Sequence, residues 1–221
     1  MEDYMNEQEQ WDWLRARARE YGPWIVAGVA LAAAGLWGWK WWQTRQEEGL
    51  LQAASQYEQV IAAYGKHDVA ATSKLADQLQ QEHPGTGYAD QAQLATAGLQ
   101  VDTNQLAAAI ERLQKVMTGT RDAELALAVR LRIARLQIDQ QKPDEALATL
   151  AGATPGAFAA RYAEVRGDAL LAKGDRAGAL KAYQEAQGTG KQAAQAADTA
   201  GNAASAASEL LTLKINELTR S

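Results

Sequence analysis

The side chains that could do chemistry are few and scattered. Two histidines, His67 and His83, each stand near the end of an expected helix, where an imidazole can simply complement the local dipole. There is no cysteine, which excludes a disulfide framework and thiolate chemistry and fits a reducing or an oxidising compartment equally well. The nearest approach to a carboxylate pair, Asp144 with Glu145, follows Pro143 at an expected helix start, and adjacent residues on a helix point apart. The patterns GxSxG, HExxH, GxGxxG and GxxxxGK do not occur, and the remaining acidic residues are spread over helix faces as solvated charges are. The expectation is a protein with no catalytic residue, no metal and no cofactor, which works by binding.

A binding protein is read from the elements that carry its surfaces. The net charge is −5, and residues 43 to 221 hold 18 basic and 21 acidic side chains, so no electrostatic footprint for nucleic acid exists. The stretch unlike any other is Gly22 to Trp42, GPWIVAGVALAAAGLWGWKWW, with Lys40 as its one charge. At a helical rise of about 1.5 Å per residue it reaches roughly 30 Å, the thickness of a bilayer's hydrocarbon core, which predicts a transmembrane anchor. Trp37, Trp39, Trp41 and Trp42 crowd its C-terminal end, where amphipathic rings favour the membrane boundary. Ala and Gly contribute little to insertion, so Ile25, Val26, Val29, Leu31, Leu36 and the tryptophans must supply most of it. A cleavable signal peptide fits less well, because cleavage would leave the tryptophan belt as an exposed terminus. A helix lying on the surface needs a polar face, which Trp24 to Trp39 lacks.

Residues 1–21 form a leader with Trp11, Trp13 and Leu14 set as a short amphipathic turn and with Arg15, Arg17 and Arg19 before the anchor. Lys40 and Arg45 stand on the far side, so the basic-residue bias puts the N-terminus in the cytoplasm by one residue and the C-terminal domain in the periplasm. Gly28, Ala32 and Gly35 form a ridge that could admit a neighbouring transmembrane helix, although any Ala-rich span produces such ridges.

Beyond the anchor the apolar residues keep helical spacing throughout. Leu50, Ala54, Tyr57, Ile61 and Tyr64 mark a helix ending at Gly65. A second starts at Asp68 as N-cap, carries Leu75 and Leu79, and ends at HPGTG; a third runs from about Tyr88 to Gln100; Leu106, Ile110, Leu113 and Val116 line a fourth. In AEVRGDALLAKGDRAGALKAYQEA the residues Gly167, Leu170, Gly174, Ala179, Tyr183 and Ala186 fall where a tetratricopeptide repeat alternates small, large, turn and aromatic residues. The small ones let antiparallel helices approach and the large ones fill the gap to the next pair. The same frame places Ala134, Ala146, Leu150 and Ala153 one repeat earlier, and Ala97, Ala109, Leu113 and Val116 before that. Three repeat-like pairs and an irregular first pair at residues 44 to 82 follow, with a plain helical bundle as the alternative.

The stretch 188–208, rich in Ala, Gly, Gln and Ser, reads as a linker, and residues 209–221 as a C-terminal helix that caps the stack in preference to a free tail. The expected architecture is all-α: a cytoplasmic leader (1–21), a transmembrane anchor (22–42), a tetratricopeptide-repeat-like solenoid (43–187), the linker, and the capping helix.

The EQ-bearing leader, the anchor ending GWKWW, the degenerate repeats with LRIARLQ and RGDALLAKGD, and the terminal LKINEL together resemble the YfgM family, the ancillary SecYEG translocon subunits. The resemblance spans nearly the whole chain, and the long Ala/Gly stretch before LKINEL departs from it. It implies a single-pass inner-membrane protein of proteobacteria with a periplasmic repeat domain. The implied partners are the SecYEG translocon, the membrane-anchored periplasmic chaperone PpiD, and emerging secreted chains passed on to folding factors by binding alone. The alternative is a membrane-anchored repeat scaffold or regulator serving another envelope complex.

Overall fold

A computed structural model of the chain describes residues 7–196 and 203–220. The described backbone is helical, in the order α1 (Glu7–Tyr64), α2 (Val69–Glu82), α3 (Gly87–Asp102), α4 (Leu106–Gly119), α5 (Ala123–Asp139), α6 (Pro143–Ala151), a short 3-10 turn (Gly156–Phe158), α7 (Ala159–Ala172), α8 (Arg176–Ala196) and α9 (Ala203–Arg220). Among the described residues there is no strand. The chain falls into two compact units, Met1–Gln52 and Ala53–Ser221.

In the second unit, local chemistry decides where helices begin. The Asp68 carboxylate accepts from the Ala71 amide at 2.9 Å and starts α2; the Thr86 hydroxyl accepts from Ala89 and starts α3. Asp122 accepts from Glu124 and Leu125 at 2.9 and 3.0 Å ahead of α5. Pro143 opens α6, where its missing N–H costs nothing.

The turn inside each helix pair has one recurring geometry. His67, Asn104, Gln141 and Gly174 are left-handed, with φ of 55°, 60°, 61° and 89°. In each turn the following amide reaches back five residues: Asp68 to the Ala63 carbonyl, Gln105 to Gln100, Lys142 to Gln137 and Asp175 to Leu170. This is the Schellman arrangement that satisfies a helix's last carbonyls. Only the last turn uses glycine, the residue without steric penalty there. The first pair, expected to be irregular, therefore shares its turn with the other three.

Between the turns, sequential helices pack through four buried clusters. Ala53, Val60, Ala76, Leu79, Ala89 and Ala92 join the end of α1 to α2 and α3. Ala97, Ala109, Leu113, Val116, Val129, Ile133 and Leu136 join α3, α4 and α5. Leu131, Ala134, Ala146, Leu150, Tyr162, Val165 and Ala169 join α5, α6 and α7. Ala163, Ala179, Tyr183, Ala186 and Leu211 join α7, α8 and α9. Alanine at so many contact points permits close helix approach.

Two expectations need correction. The stretch read as a linker, 188–208, is helical through Ala196 and again from Ala203; residues 197–202 lie outside the described part. Gly188 and Gly190 each weaken a helix by roughly 1 kcal/mol, but the Gln and Ala residues after them are good helix formers, and an added Cβ at Gly190 would sit 3.9 Å from the Ala160 methyl. The capping helix likewise starts before residue 209.

The first unit is the N-terminal part of α1. Among the described residues no helix is long and apolar enough to cross a membrane. Of the residues expected to supply most of the insertion, the Ile25 and Val29 side chains lie outside the described ones. Trp11, Trp13 and Leu14 of the expected amphipathic turn lie outside them as well.

Candidate functional site

The residues considered first for chemistry are not assembled. His67 sits in the turn after α1, and the His83 amide caps α2 by donating to the Leu79 carbonyl at 2.9 Å. Asp144 pairs with Lys173 at 2.6 Å and Glu145 with Lys142 at 3.5 Å, all four exposed. No group of three potential metal ligands occurs among the described residues. What remains are packing seams, a groove and exposed faces.

The last seam is the most closely fitted. A Cβ added at Gly167 would lie 2.5 and 2.6 Å from Cε1 and Cδ1 of Tyr183, so only glycine leaves room for the ring. Tyr183 is fully buried, with Ala163, Ala179 and Ala186 around it and Leu170 half-buried beside them. Gly174 is exposed and serves the turn alone. The Tyr183 hydroxyl donates to Asp168 Oδ1 at 2.8 Å, and Lys214 of α9 donates to the same oxygen at 2.7 Å and to Glu164 at 3.1 Å. Lys214 Nζ also stands 5.3 Å from the centre of the Tyr183 ring. Burial, with the hydrogen bond to Asp168 and its charge, pushes the Tyr183 phenol well above its usual range. Burial alone would lower Lys214, but Asp168 and Glu164 outweigh it and hold the ammonium above its usual value. On α9, Leu211 and Leu218 face inward with Ile215, whereas Leu210 and Leu213 are 58 % and 63 % exposed.

Sequence reasoning missed a groove of about 460 Å³ between α2 and α4, floored by α3. Asp90, Gln93 and Gln100 lie along one face of α3 and are nearly buried, in line with apolar Ala97. From α4, Arg112 donates to Asp77 Oδ1 at 2.7 Å and also to Gln93 and Ser73, and the Gln93 amide donates to the Ala76 carbonyl at 3.0 Å. Burial would raise Asp77, but hydrogen bonds from Arg112 and Gln93 and the charges of Arg112 and Lys115 hold it below the usual carboxylate range. The Thr120 hydroxyl donates to Asp90 at 2.7 Å, and Lys115 pairs with Glu111 at 2.9 Å. The buried Arg112 Nε and Gln100 Oε1 have no hydrogen-bond partner among the described residues. The available signal was polar residues at 90, 93 and 100, where a core-facing helix should be apolar.

In the first unit, Gly28, Ala32 and Gly35 are exposed, and a Cβ at either glycine would meet nothing within 4 Å. Trp37, Trp39, Trp41 and Trp42 are also exposed, and the Arg45 guanidinium lies 4.4 Å from the Trp41 ring centre.

Comparison with known proteins agrees with this architecture. Residues 16–220 match the tetratricopeptide repeat-like domain family. A protein of Escherichia coli K12 named Ancillary SecYEG translocon subunit is 32% identical over 222 aligned residues, covering 99% of this chain and 100% of its own. Proteins of the same name from Haemophilus influenzae and Aggregatibacter actinomycetemcomitans are 31% and 30% identical, covering 86% and 83% of this chain and 93% and 89% of theirs. A solved structure titled MamA RS-1 ArsTM double mutant aligns with a TM-score of 0.49 at 14% identity over 76% of this chain and 94% of its own, too distant a likeness to argue from. With the repeat-like fold and this full-length similarity together, the chain belongs to the YfgM family of ancillary SecYEG translocon subunits.

Proposed function

We propose that the chain is a non-enzymatic, membrane-tethered adaptor of the SecYEG translocon that helps pass secreted chains to periplasmic folding factors. The observation that carries this is similarity along the full length of a relative named for that assembly, through the N-terminal segment as well as the repeats. Gly22 to Trp42 is the tether, with the N-terminus cytoplasmic and the repeat domain periplasmic. Support comes from the run of exposed apolar side chains there, Trp24, Leu31, Leu36 and Trp37 each being more than 70 % exposed, a surface that water disfavours. Its hydropathy is marginal for a lone span, so helix packing must contribute. The Gly28, Ala32 and Gly35 ridge offers the close approach that such packing uses.

The repeat domain then works by proximity. Holding a weak binding surface beside the channel raises its effective concentration for an emerging chain or for PpiD, with no reaction catalysed. A reporter active only in the periplasm, fused after Ser221, is expected to give signal. A silent C-terminal fusion with an active N-terminal one contradicts the orientation. Co-purification from detergent-solubilised membranes tests the partners: PpiD and SecYEG are expected, and unrelated envelope proteins without either support a scaffold for another complex.

A further inference from the structure

We infer that the groove between α2 and α4 binds a short extended stretch of polypeptide by its backbone amides. This rests on the adaptor reading and names the part of a secreted chain that the domain would hold. Its volume of about 460 Å³ lies within the usual range of roughly 300–1,000 Å³ for ligand sites. It sits over three successive helices, where the packing between repeats leaves a polar floor in place of an apolar one.

The lining says what kind of ligand fits. Both of its cations are already paired within the chain, Arg112 with Asp77 and Lys115 with Glu111, while the Asp90 carboxylate accepts from the Thr120 hydroxyl. An anionic ligand would have to displace Asp77 or Glu111 from those cations. The apolar lining is small, Ala108, Val116 and Gly119, so there is no pocket for a large hydrophobic anchor. The other lining groups are carboxamides, Gln80 and Gln81 from α2 and Gln93 and Gln100 from α3. Gln93 is already held by Arg112 and the Ala76 carbonyl; each of the other three carboxamides carries both a donor and an acceptor, as a peptide group does, and so can pair with a backbone whatever its sequence.

The unsatisfied atoms point the same way. Gln100 is nearly buried and, among the described residues, its Oε1 has no donor and Arg112 Nε no acceptor. Buried polar atoms normally find partners, and an orphaned one destabilises the fold that keeps it. A peptide group carries both, its N–H for Gln100 and its C=O for Arg112, once those two side chains turn their buried atoms toward the groove. Reading of the backbone in this way suits a protein that must accept many different chains.

The test uses the full chain in detergent micelles and fluorescence anisotropy with two probes. One is an end-blocked dodecapeptide of Ser, Thr, Asn and Gly; the other is a reduced, alkylated, permanently unfolded polypeptide. Gln100→Leu removes the orphaned acceptor and is expected to leave thermal unfolding unchanged or raised, whereas Ala108→Trp fills the groove from its wall. Both should weaken binding of both probes at least tenfold. Affinities within twofold of wild type in both variants overturn the groove while leaving client binding elsewhere intact. No binding of either probe to the wild-type chain overturns the inference too and indicates a groove holding only ordered water; SecYEG recovery with the same preparation then decides separately whether the adaptor reading stands.

Discussion

Replacing Gly167 by alanine sets two well-measured effects against each other. In the interior of α7, alanine is favoured over glycine by about 0.8–1 kcal/mol through helix propensity. Against this, the new methyl would lie 2.5 Å from Cε1 and 2.6 Å from Cδ1 of Tyr183, far inside normal contact. The ring cannot step aside freely, because it is fully buried and its hydroxyl is held by Asp168 at 2.8 Å. Overpacking of this kind costs about 1–3 kcal/mol, so the net expectation runs from no change to a loss of about 2 kcal/mol. Urea unfolding of the full chain in micelles, followed by circular dichroism, measures it. In a Tyr183→Leu background the clash is relieved and the same Gly167→Ala change should become neutral or stabilising. A Gly167→Ala protein as stable as wild type, with no such coupling to residue 183, would refute the seam as described.

Other perturbations test other parts. Gln141 holds a left-handed turn at φ 61°, which costs an L-residue about 1–2 kcal/mol. Even after glycine's greater unfolded-state freedom, Gln141→Gly should stabilise by about 0.5–1 kcal/mol in the same urea titration, and Gly174→Ala should do the reverse. Asp77, held below the usual range, adds stability that is fully present above the ordinary aspartate value of about 3.8 and is lost as pH falls through the lower folded value. Asp77→Asn should therefore be less stable than wild type at pH 7, with the gap closing in acid unfolding as pH drops below that point. Leu211, 7 % exposed at the α9 seam, should on truncation to alanine cost about 2 kcal/mol, read as faster hydrogen exchange in α9 with α3 to α6 still protected.

The all-helical, repeat-like fold was readable because its helix contacts are steric. Ala134, Ala146, Ala179 and Ala186 are each fully buried, and Gly167 faces a ring, so small residues at fixed spacing announce helix contacts directly. The turns were less legible, since His67, Asn104 and Gln141 adopt a conformation that glycine usually marks. Their backbone hydrogen bonds impose it whatever the side chain. The extension of α8 to Ala196 was hidden by Gly188 and Gly190, whose weak propensity is a local effect that neighbouring alanines and packing on α7 override. The groove was missed for a different reason. Gln93 and Gln100 occupy inward positions of α3, but Arg112, which joins Gln93 to Asp77, is contributed by another helix far along the chain. Spacing within one helix cannot announce a network that three helices complete.

Affinity purification of the full chain from gently solubilised membranes tests the central claim most directly. Subunits of SecYEG are expected to be recovered with it, in proportion to its amount, and to be reduced when Gly28, Ala32 and Gly35 are replaced together by larger apolar residues that preserve membrane insertion. Recovery of a reproducible set of envelope partners containing no translocon subunit would contradict the account.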